Sequence, residues 1–201
     1  MKIVCFGDSL TARKEGYPKP MLTMMLSEKV KGHRYVNAGA MGNTTVEARG
    51  RLKEDVLNEH PDIVTIMFGS NDCSEKKDVS LTTFHDNLLF CIKKIGSKKV
   101  ILITPSPVDD EKQLYRKNNE LIKYVEIIKE LATESHCEVI DFYQHVMEQE
   151  NYPKLLVGKS DDGLHFGEKL YDQLSDLIAE RLKNRERIIE QPLWKKLKNK
   201  F

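Results

Sequence analysis

Short apolar runs alternate with longer amphipathic stretches along the sequence, and this alternation limits the folds that the chain can adopt. Apolar and β-branched runs predict five strands, at residues 2–6, 34–37, 63–68, 99–103 and 138–141. Apolar residues at helical spacing predict helices between them and after the last, at about 21–30, 45–57, 81–95, 111–135 and 170–182. Long helical crossovers join parallel strands, so we predict an α/β fold, a three-layer α/β/α sandwich around a five-stranded parallel sheet. The flavodoxin-like strand order 2-1-3-4-5 suits five strands.

The length and charge of the chain favour one domain with a basic tail. The 201 residues suffice for one substantial core, which we assign to residues 1–183. Residues 184–201 form a predicted basic amphipathic extension that carries the single tryptophan, Trp194. This extension is a candidate for weak contact with a membrane surface or a partner subunit, against the simpler interpretation of a solvated terminus. The formal net charge of +1 gives no electrostatic footprint for nucleic acid, so we expect no nucleic-acid partner.

Hydropathy and cysteine spacing indicate the compartment. No apolar run has the length of a signal-peptide core or of a membrane span, so we expect a soluble, cytoplasmic protein. The four cysteines show no CxxC spacing, which favours free thiols over a disulfide framework or a zinc site. They are Cys5, Cys73, Cys91 and Cys137.

The first predicted strand ends abruptly in Gly7-Asp8-Ser9-Leu10. Ligands of open α/β sheets bind at the carboxyl ends of the strands, and a serine hydroxyl there can act as a nucleophile. The alternative is an ordinary turn in which Asp8 or Ser9 caps the next helix. Taken alone, this turn does not separate the two interpretations.

Polar residues and glycines also follow three of the other strands. Gly39 follows the second strand, Asn71 follows the third, and Asp162 and His165 lie beyond the fifth. Acyl transfer requires a nucleophilic hydroxyl, an imidazole base, a carboxylate that orients the imidazole, and donors for the oxyanion. With Ser9, all of these groups are expected at one edge of the sheet. The oxyanion donors would be the backbone N–H groups of Ser9 and Gly39 and the side-chain amide of Asn71.

Each of these residues has an alternative interpretation. Asp161 lies four residues before the histidine and competes with Asp162 as its partner. Gly39 and Gly42 could serve only to allow positive φ angles, and Asn71-Asp72 could form only an Asx turn. The sequence lacks the G-x-S-x-G elbow, phosphate-loop and dinucleotide motifs, and HExxH.

Together, the four blocks resemble those of the SGNH, or GDSL, hydrolases. The blocks are Gly7-Asp8-Ser9-Leu10, Asn37-Ala38-Gly39, Gly69-Ser70-Asn71-Asp72 and Asp162-Gly163-Leu164-His165, in that order. The resemblance extends to about Leu182 and implies an α/β/α sandwich with esterase or lipase activity. It implies Ser9 as the nucleophile, Asp162 and His165 as the rest of a catalytic triad, Gly39 and Asn71 as oxyanion donors, and no metal or organic cofactor.

The resemblance also indicates a substrate class. The stretch from Ile101 to Val108 is similar to that of the isoamyl acetate-hydrolysing esterases, although Ser106 interrupts its prolines. We therefore expect a small-molecule ester substrate with a short acyl chain, such as an acetyl group. The alternatives are a lysophospholipase or acyl thioesterase of the same family and, from another class, a non-catalytic binding sandwich.

Overall fold

A computed structural model describes residues 1–190 of the chain. Its five strands form one parallel sheet in the order β2-β1-β3-β4-β5. They are β1 (Lys2–Gly7), β2 (Arg34–Gly39), β3 (Ile63–Met67), β4 (Val100–Ile103) and β5 (Glu138–Ile140). The predicted fold class and strand order are confirmed. In the register of the central strands, Gly7 lies opposite both Gly39 and Met67, so the carboxyl ends of three neighbouring strands meet at one edge.

Seven α-helices are described within residues 1–190. They are α1 (Ser9–Ala12), α2 (Met21–Lys29), α3 (Thr45–Asp55), α4 (Leu81–Ile95), α5 (Asn118–Ser135), α6 (Phe142–Met147) and α7 (Glu168–Glu190). Helices α3, α4 and α5 cover one face of the sheet, and α2 and α7 pack together on the other. None of the helices within the described range is both long and apolar enough to span a bilayer.

Strand β1 shows how the central sheet separates two apolar layers. Val4 and Phe6 belong to the core under α3, α4 and α5, whereas Ile3 and Cys5 belong to the core under α2 and α7. All four side chains are fully buried, as expected for a strand covered on both faces. The turn that follows β1 is therefore attached to a strand that is buried on both faces and paired on both edges.

The cysteines among the described residues carry free thiols. Cys5, Cys73 and Cys91 are buried, and Cys137 is partly buried. Burial raises the pKa of Cys91 to about 12, so this thiol stays protonated and unreactive at neutral pH.

The helix predicted from about residue 111 begins only at Asn118, so residues 104–117 form a loop. The prediction of the helix start was wrong because polar contacts compete with helical hydrogen bonds there. The N–H of Glu111 donates to Asp109 Oδ1 at 3.0 Å, and the N–H of Asp109 donates to Gly163 O at 2.8 Å. The two short helices α1 and α6 were not predicted either.

The final helix extends beyond the predicted domain. Helix α7 continues through the predicted boundary at residues 183 and 184 and is described to Glu190. Arg185 lies in this continuation and donates to Glu138 Oε1 at 2.6 Å and to Lys98 O at 2.7 Å. The rest of the predicted basic extension, with Trp194, lies outside the described residues.

Candidate active site

The turn after β1 places Ser9 at the first position of helix α1. Asp8 caps this helix, because its Oδ1 accepts the N–H of Leu10 at 2.9 Å. A glycine is required before it, since a Cβ on Gly7 would lie 2.9 Å from Met67 O. Ser9 is only 5% exposed. The capping interpretation of Asp8 therefore holds, and it also explains how the serine is fixed at the edge of the sheet.

Ser9, His165 and Asp162 lie in hydrogen-bond contact. Ser9 Oγ is 2.9 Å from His165 Nε2, and His165 Nδ1 is 2.6 Å from Asp162 Oδ2. Because an ionised carboxylate only accepts hydrogen bonds, Nδ1 carries the proton that faces Asp162 in the neutral ring. Nε2 is then the acceptor that faces the Ser9 hydroxyl. An imidazole held in this way can take a proton from the serine.

The structure pairs the histidine with Asp162 and gives Asp161 a different partner. The carboxylate of Asp161 contacts Lys112 Nζ. Asp162 Oδ1 accepts the backbone N–H groups of Leu164 at 3.0 Å and His165 at 2.9 Å. Desolvation tends to raise the pKa of Asp162, but the hydrogen bonds from His165 and Leu164 outweigh it and hold the pKa below its usual value.

At Gly163, the segment that carries Asp162 and His165 packs against the loop at residues 104–117. Its φ is +71°, in the left-handed region that favours glycine. A Cβ there would also lie 2.7 Å from the Asp109 Cβ. The absence of a side chain therefore allows the two loops to approach closely.

The side chain of Asn71 bridges three segments of the chain. Its Nδ2 donates to Asn43 O at 2.9 Å and lies 3.4 Å from Asp8 Oδ2. Its Oδ1 accepts from Arg116 Nη2 at 2.9 Å. These contacts join distant segments, so the side chain does more than form the local Asx turn considered from the sequence. They direct the amide nitrogen toward the residue that precedes Ser9.

Gly39 and Gly42 differ in how their backbone amides are engaged. The N–H of Gly39 donates to Asn37 Oδ1 at 3.1 Å, and a Cβ on Gly39 would lie 2.8 Å from Ala12 Cα. The glycine thus lets β2 pack against the end of α1. Gly42 has a φ of +71°, and within residues 1–187 no acceptor binds its N–H or that of Ser9. The free amide of Gly42 precedes Asn43, whose carbonyl receives the Asn71 amide.

Three residues at the site were not selected from the sequence as functional candidates. Gly42 was noted only for its positive φ, although it lies in the same glycine-rich turn as Gly39. Arg116 and Gln113 fell within a predicted helix, and no sequence pattern links them to Asn71. The backbone of this loop could be expected to be irregular only from its two prolines, Pro105 and Pro107.

Two buried carboxylates lie beneath the site. Burial raises the pKa of Asp8 to about 7, although the N–H of Leu10 opposes the shift and Asp72 adds to it. Burial raises the pKa of Asp72 to about 6, although the Thr45 hydroxyl and N–H donate to its Oδ1 at 2.6 and 2.8 Å. Among the described residues, no cluster of three or more histidine, cysteine, aspartate or glutamate side chains is arranged to hold a metal ion.

The family of the chain follows from its match to known proteins. A model of the GDSL-like lipase/acylhydrolase family matches residues 5–173. The chain belongs to this family. The resemblance found in the four sequence blocks is confirmed, and the chain is a carboxylic ester hydrolase by family.

A solved structure of a lipase/acylhydrolase from Enterococcus faecalis is similar to the chain at 35% identity. It superposes with a TM-score of 0.85 over 92% of this chain and 96% of that one. The sandwich is therefore shared over nearly the whole length of both proteins.

Three relatives show how far sequence similarity extends. An acetylxylan esterase from Geobacillus stearothermophilus is 29% identical over 70% of this chain and 75% of its own length. A rat protein, isoamyl acetate-hydrolyzing esterase 1 homolog, is 26% identical over 96% of this chain and 87% of its own length. The uncharacterized lipoprotein YqeF of Bacillus subtilis is 36% identical, but the match spans 53% of this chain and only 49% of that protein.

Proposed function

We propose that the chain is a serine esterase that hydrolyses carboxylic esters through an acyl-enzyme intermediate. The observation that carries the proposal is the contact of His165 with both Ser9 Oγ, at 2.9 Å, and Asp162 Oδ2, at 2.6 Å. This series of hydrogen-bonded hydroxyl, imidazole and carboxylate groups is the arrangement that activates a serine nucleophile.

The reaction proceeds in two halves. Ser9 Oγ attacks the ester carbonyl while its proton passes to His165 Nε2, and the protonated imidazole then gives that proton to the departing alcohol. The bond between the carbonyl carbon and the alcohol oxygen breaks, which leaves the acyl group on Ser9. Water then gives a proton to His165 and attacks the acyl carbon. The bond from that carbon to Ser9 Oγ breaks, the imidazolium returns its proton to Oγ, and the carboxylic acid is released. Asp162 holds the imidazole in the required tautomer throughout.

The negative charge on the carbonyl oxygen needs donors that are already in place. The N–H of Ser9 is one such donor. The side-chain amide of Asn71 is another, because one of its two N–H groups binds Asn43 O and the other makes only the long 3.4 Å contact with Asp8 Oδ2. For the third we propose the N–H of Gly42 in place of Gly39, since the amide of Gly39 is engaged by Asn37 Oδ1 and that of Gly42 is free of protein acceptors within residues 1–187.

We propose a short acyl chain, such as acetyl, as the preferred group. The printed names of two relatives, an acetylxylan esterase and an isoamyl acetate-hydrolyzing esterase homolog, support this substrate class. The substrates in these two names are esters of acetic acid with very different alcohols. The acyl group is therefore the feature that they share. The proposal accordingly concerns the acyl side of the ester only.

A hydrolase for longer acyl chains, such as a lysophospholipase or thioesterase, is the second candidate. Two exposed apolar side chains favour it: Met41, which is 59% exposed next to Gly42, and Leu114, which is 73% exposed next to Gln113. Both lie on loops that also supply residues of the site. Exposed apolar side chains at such a position suit a longer hydrocarbon chain.

Hydrolysis of p-nitrophenyl esters from acetate to dodecanoate tests both candidates. A short-chain esterase should show its maximum of kcat/KM at acetate or butyrate. A hydrolase for longer acyl chains should show a kcat/KM that rises toward dodecanoate. Replacing Ser9 by alanine should reduce kcat by roughly 10⁶-fold, because it removes the group that is acylated. Unchanged turnover by a folded Ser9→Ala variant would overturn the mechanism, and a wild-type protein that hydrolyses none of the esters would favour a binding protein.

A further inference from the structure

The guanidinium of Arg116 joins the loop at residues 104–117 to the segment that follows β3. Its Nε donates to Ser70 O at 2.7 Å, and its Nη2 donates to Asn71 Oδ1 at 2.9 Å. One rigid group thus holds both the backbone before Asn71 and the side chain of Asn71. The planar guanidinium orients its partners more tightly than a lysine ammonium would.

Arg116, with Asn43 O on the opposite side, fixes which end of the Asn71 amide faces Asp8, the residue before Ser9. The oxygen and nitrogen of an asparagine amide are nearly equal in shape, so packing alone does not distinguish the two orientations. A guanidinium only donates hydrogen bonds, so the amide atom that faces it must be Oδ1. Nδ2 is then turned to the opposite side, where it contacts Asn43 O and lies 3.4 Å from Asp8 Oδ2. The positive charge also polarises the amide and strengthens its N–H as a donor.

The same guanidinium is connected through Gln113 to the backbone carbonyl of Asp162. Arg116 Nη1 donates to Gln113 Oε1 at 3.3 Å, and Gln113 Nε2 donates to Asp162 O at 2.5 Å. Gln113 is buried. These bonds form a continuous connection from Asn71 through Arg116 and Gln113 to the backbone of Asp162.

We propose that Arg116 is a positioning residue of the oxyanion site, which holds the Asn71 amide with its N–H directed at the developing oxyanion. The inference rests on the proposed function, because it assigns to Asn71 a donor role in ester hydrolysis. Arg116 itself contacts the substrate at no step. Its contribution is realised in the transition state, when the oxyanion forms.

A double-mutant cycle of Arg116→Met and Asn71→Ala tests this inference. Asn71→Ala should lower kcat for p-nitrophenyl acetate by about 10²- to 10³-fold. Arg116→Met should lower kcat by about 10- to 100-fold, with KM nearly unchanged, because only a transition-state interaction is weakened. In the Asn71→Ala background the same replacement should cost less than about threefold, since the amide that Arg116 orients is already absent. Equal losses in both backgrounds would overturn the inference.

Two further variants separate positioning from a general structural role. Arg116→Lys keeps the charge and donors on a single nitrogen but loses the planar fork, so it should recover part of the lost kcat. This variant also serves as the test if Arg116→Met does not fold. Arg185→Met is the matched control, because Arg185 also bonds backbone carbonyls, those of Lys98 and Val100, at the amino-terminal edge of the sheet. It should lower the melting temperature without lowering kcat. Equal losses of kcat in Arg185→Met and Arg116→Met would contradict the inference.

The cycle also distinguishes this inference from the proposed function. If the wild-type protein hydrolyses esters and Ser9→Ala does not, the proposed function stands whatever the cycle gives. If that enzyme loses kcat by the same factor on Arg116→Met with and without Asn71→Ala, only the proposed role of Arg116 is wrong. A wild-type protein with no esterase activity would remove both.

Discussion

The histidine end and the oxyanion end of the site differ in how far along the chain their contacts reach. Asp162 and His165 are three residues apart, and Asp162 also binds the N–H groups of its own turn. Asn71 instead depends on Asn43, 28 residues away, and on Arg116, 45 residues away. A local turn thus sets the contact between Asp162 and His165, and the loop after β4 bonds only the backbone of that turn. The side chain of Asn71, in contrast, is held by distant segments. Substitutions that perturb distant packing should therefore affect the oxyanion end more than the histidine end.

Of the three substitution tests that follow, replacing the acid at the histidine end should have the largest effect. Asp162→Asn should lower kcat for p-nitrophenyl acetate by about 10⁴-fold, because the amide favours the wrong imidazole tautomer. Asp161→Asn is the matched control and should change kcat by less than about twofold, since its ion pair with Lys112 lies at the surface. A greater loss in Asp161→Asn than in Asp162→Asn would show that this end is not built by the local turn.

A glycine pair tests how the strand ends are packed. A Cβ on Gly39 would lie 2.8 Å from Ala12 Cα, so Gly39→Ala should destabilise the fold by about 1–3 kcal/mol through overpacking. Gly50→Ala in α3 should instead stabilise by about 0.5–1 kcal/mol, because open space surrounds that position and alanine favours the helix. Urea denaturation measures both. Equal stability of the Gly39→Ala variant and the wild type would contradict the close packing of β2 against α1.

A smaller, pH-dependent effect is expected beneath the oxyanion end. Burial raises the pKa of Asp72 from its unfolded value of 3.8 to about 6. The native state therefore binds this proton more tightly, and its stabilising effect is complete below pH 3.8 and lost as the pH rises through about 6. The side chain in Asp72→Asn stays neutral, so the variant does not lose stability as the pH rises. Its amide nitrogen replaces an oxygen that has no partner, which lowers the free energy of unfolding by the same amount at every pH.

The difference in unfolding free energy between Asp72→Asn and the wild type should accordingly shift by about 2 kcal/mol in favour of the variant between pH 4 and pH 8. Denaturant titrations at the two pH values measure this shift. Glu130→Gln, which removes an exposed carboxylate on α5, should show almost none. A difference that does not change with pH would contradict the burial of a neutral acid at Asp72.

The sequence was sufficient to predict the fold, and it predicted the two ends of the site unequally. Apolar runs predicted the five strands, because burial on both faces of a sheet is visible in the sequence. Their order does not follow from periodicity and was taken from the flavodoxin-like arrangement that suits five parallel strands. The three-residue spacing of Asp162 and His165 was also visible in the sequence, because it is local. The loop at residues 104–117 was predicted to be partly helical, since its contacts to Gly163 and Asn71 come from distant parts of the chain. Our proposal of Gly42 in place of Gly39 as an oxyanion donor likewise depends on hydrogen bonds that spacing does not reveal.

Labelling with a fluorophosphonate, followed by peptide mapping, tests the central claim most directly. An activated serine attacks the phosphorus and displaces fluoride, so the reagent records the proton transfer to His165 without any assumption about the ester substrate. We predict a single adduct on Ser9 in the wild-type protein and very slow labelling in His165→Ala. A native protein that stays unlabelled, or an adduct on any other serine in a protein that hydrolyses esters, would contradict the account.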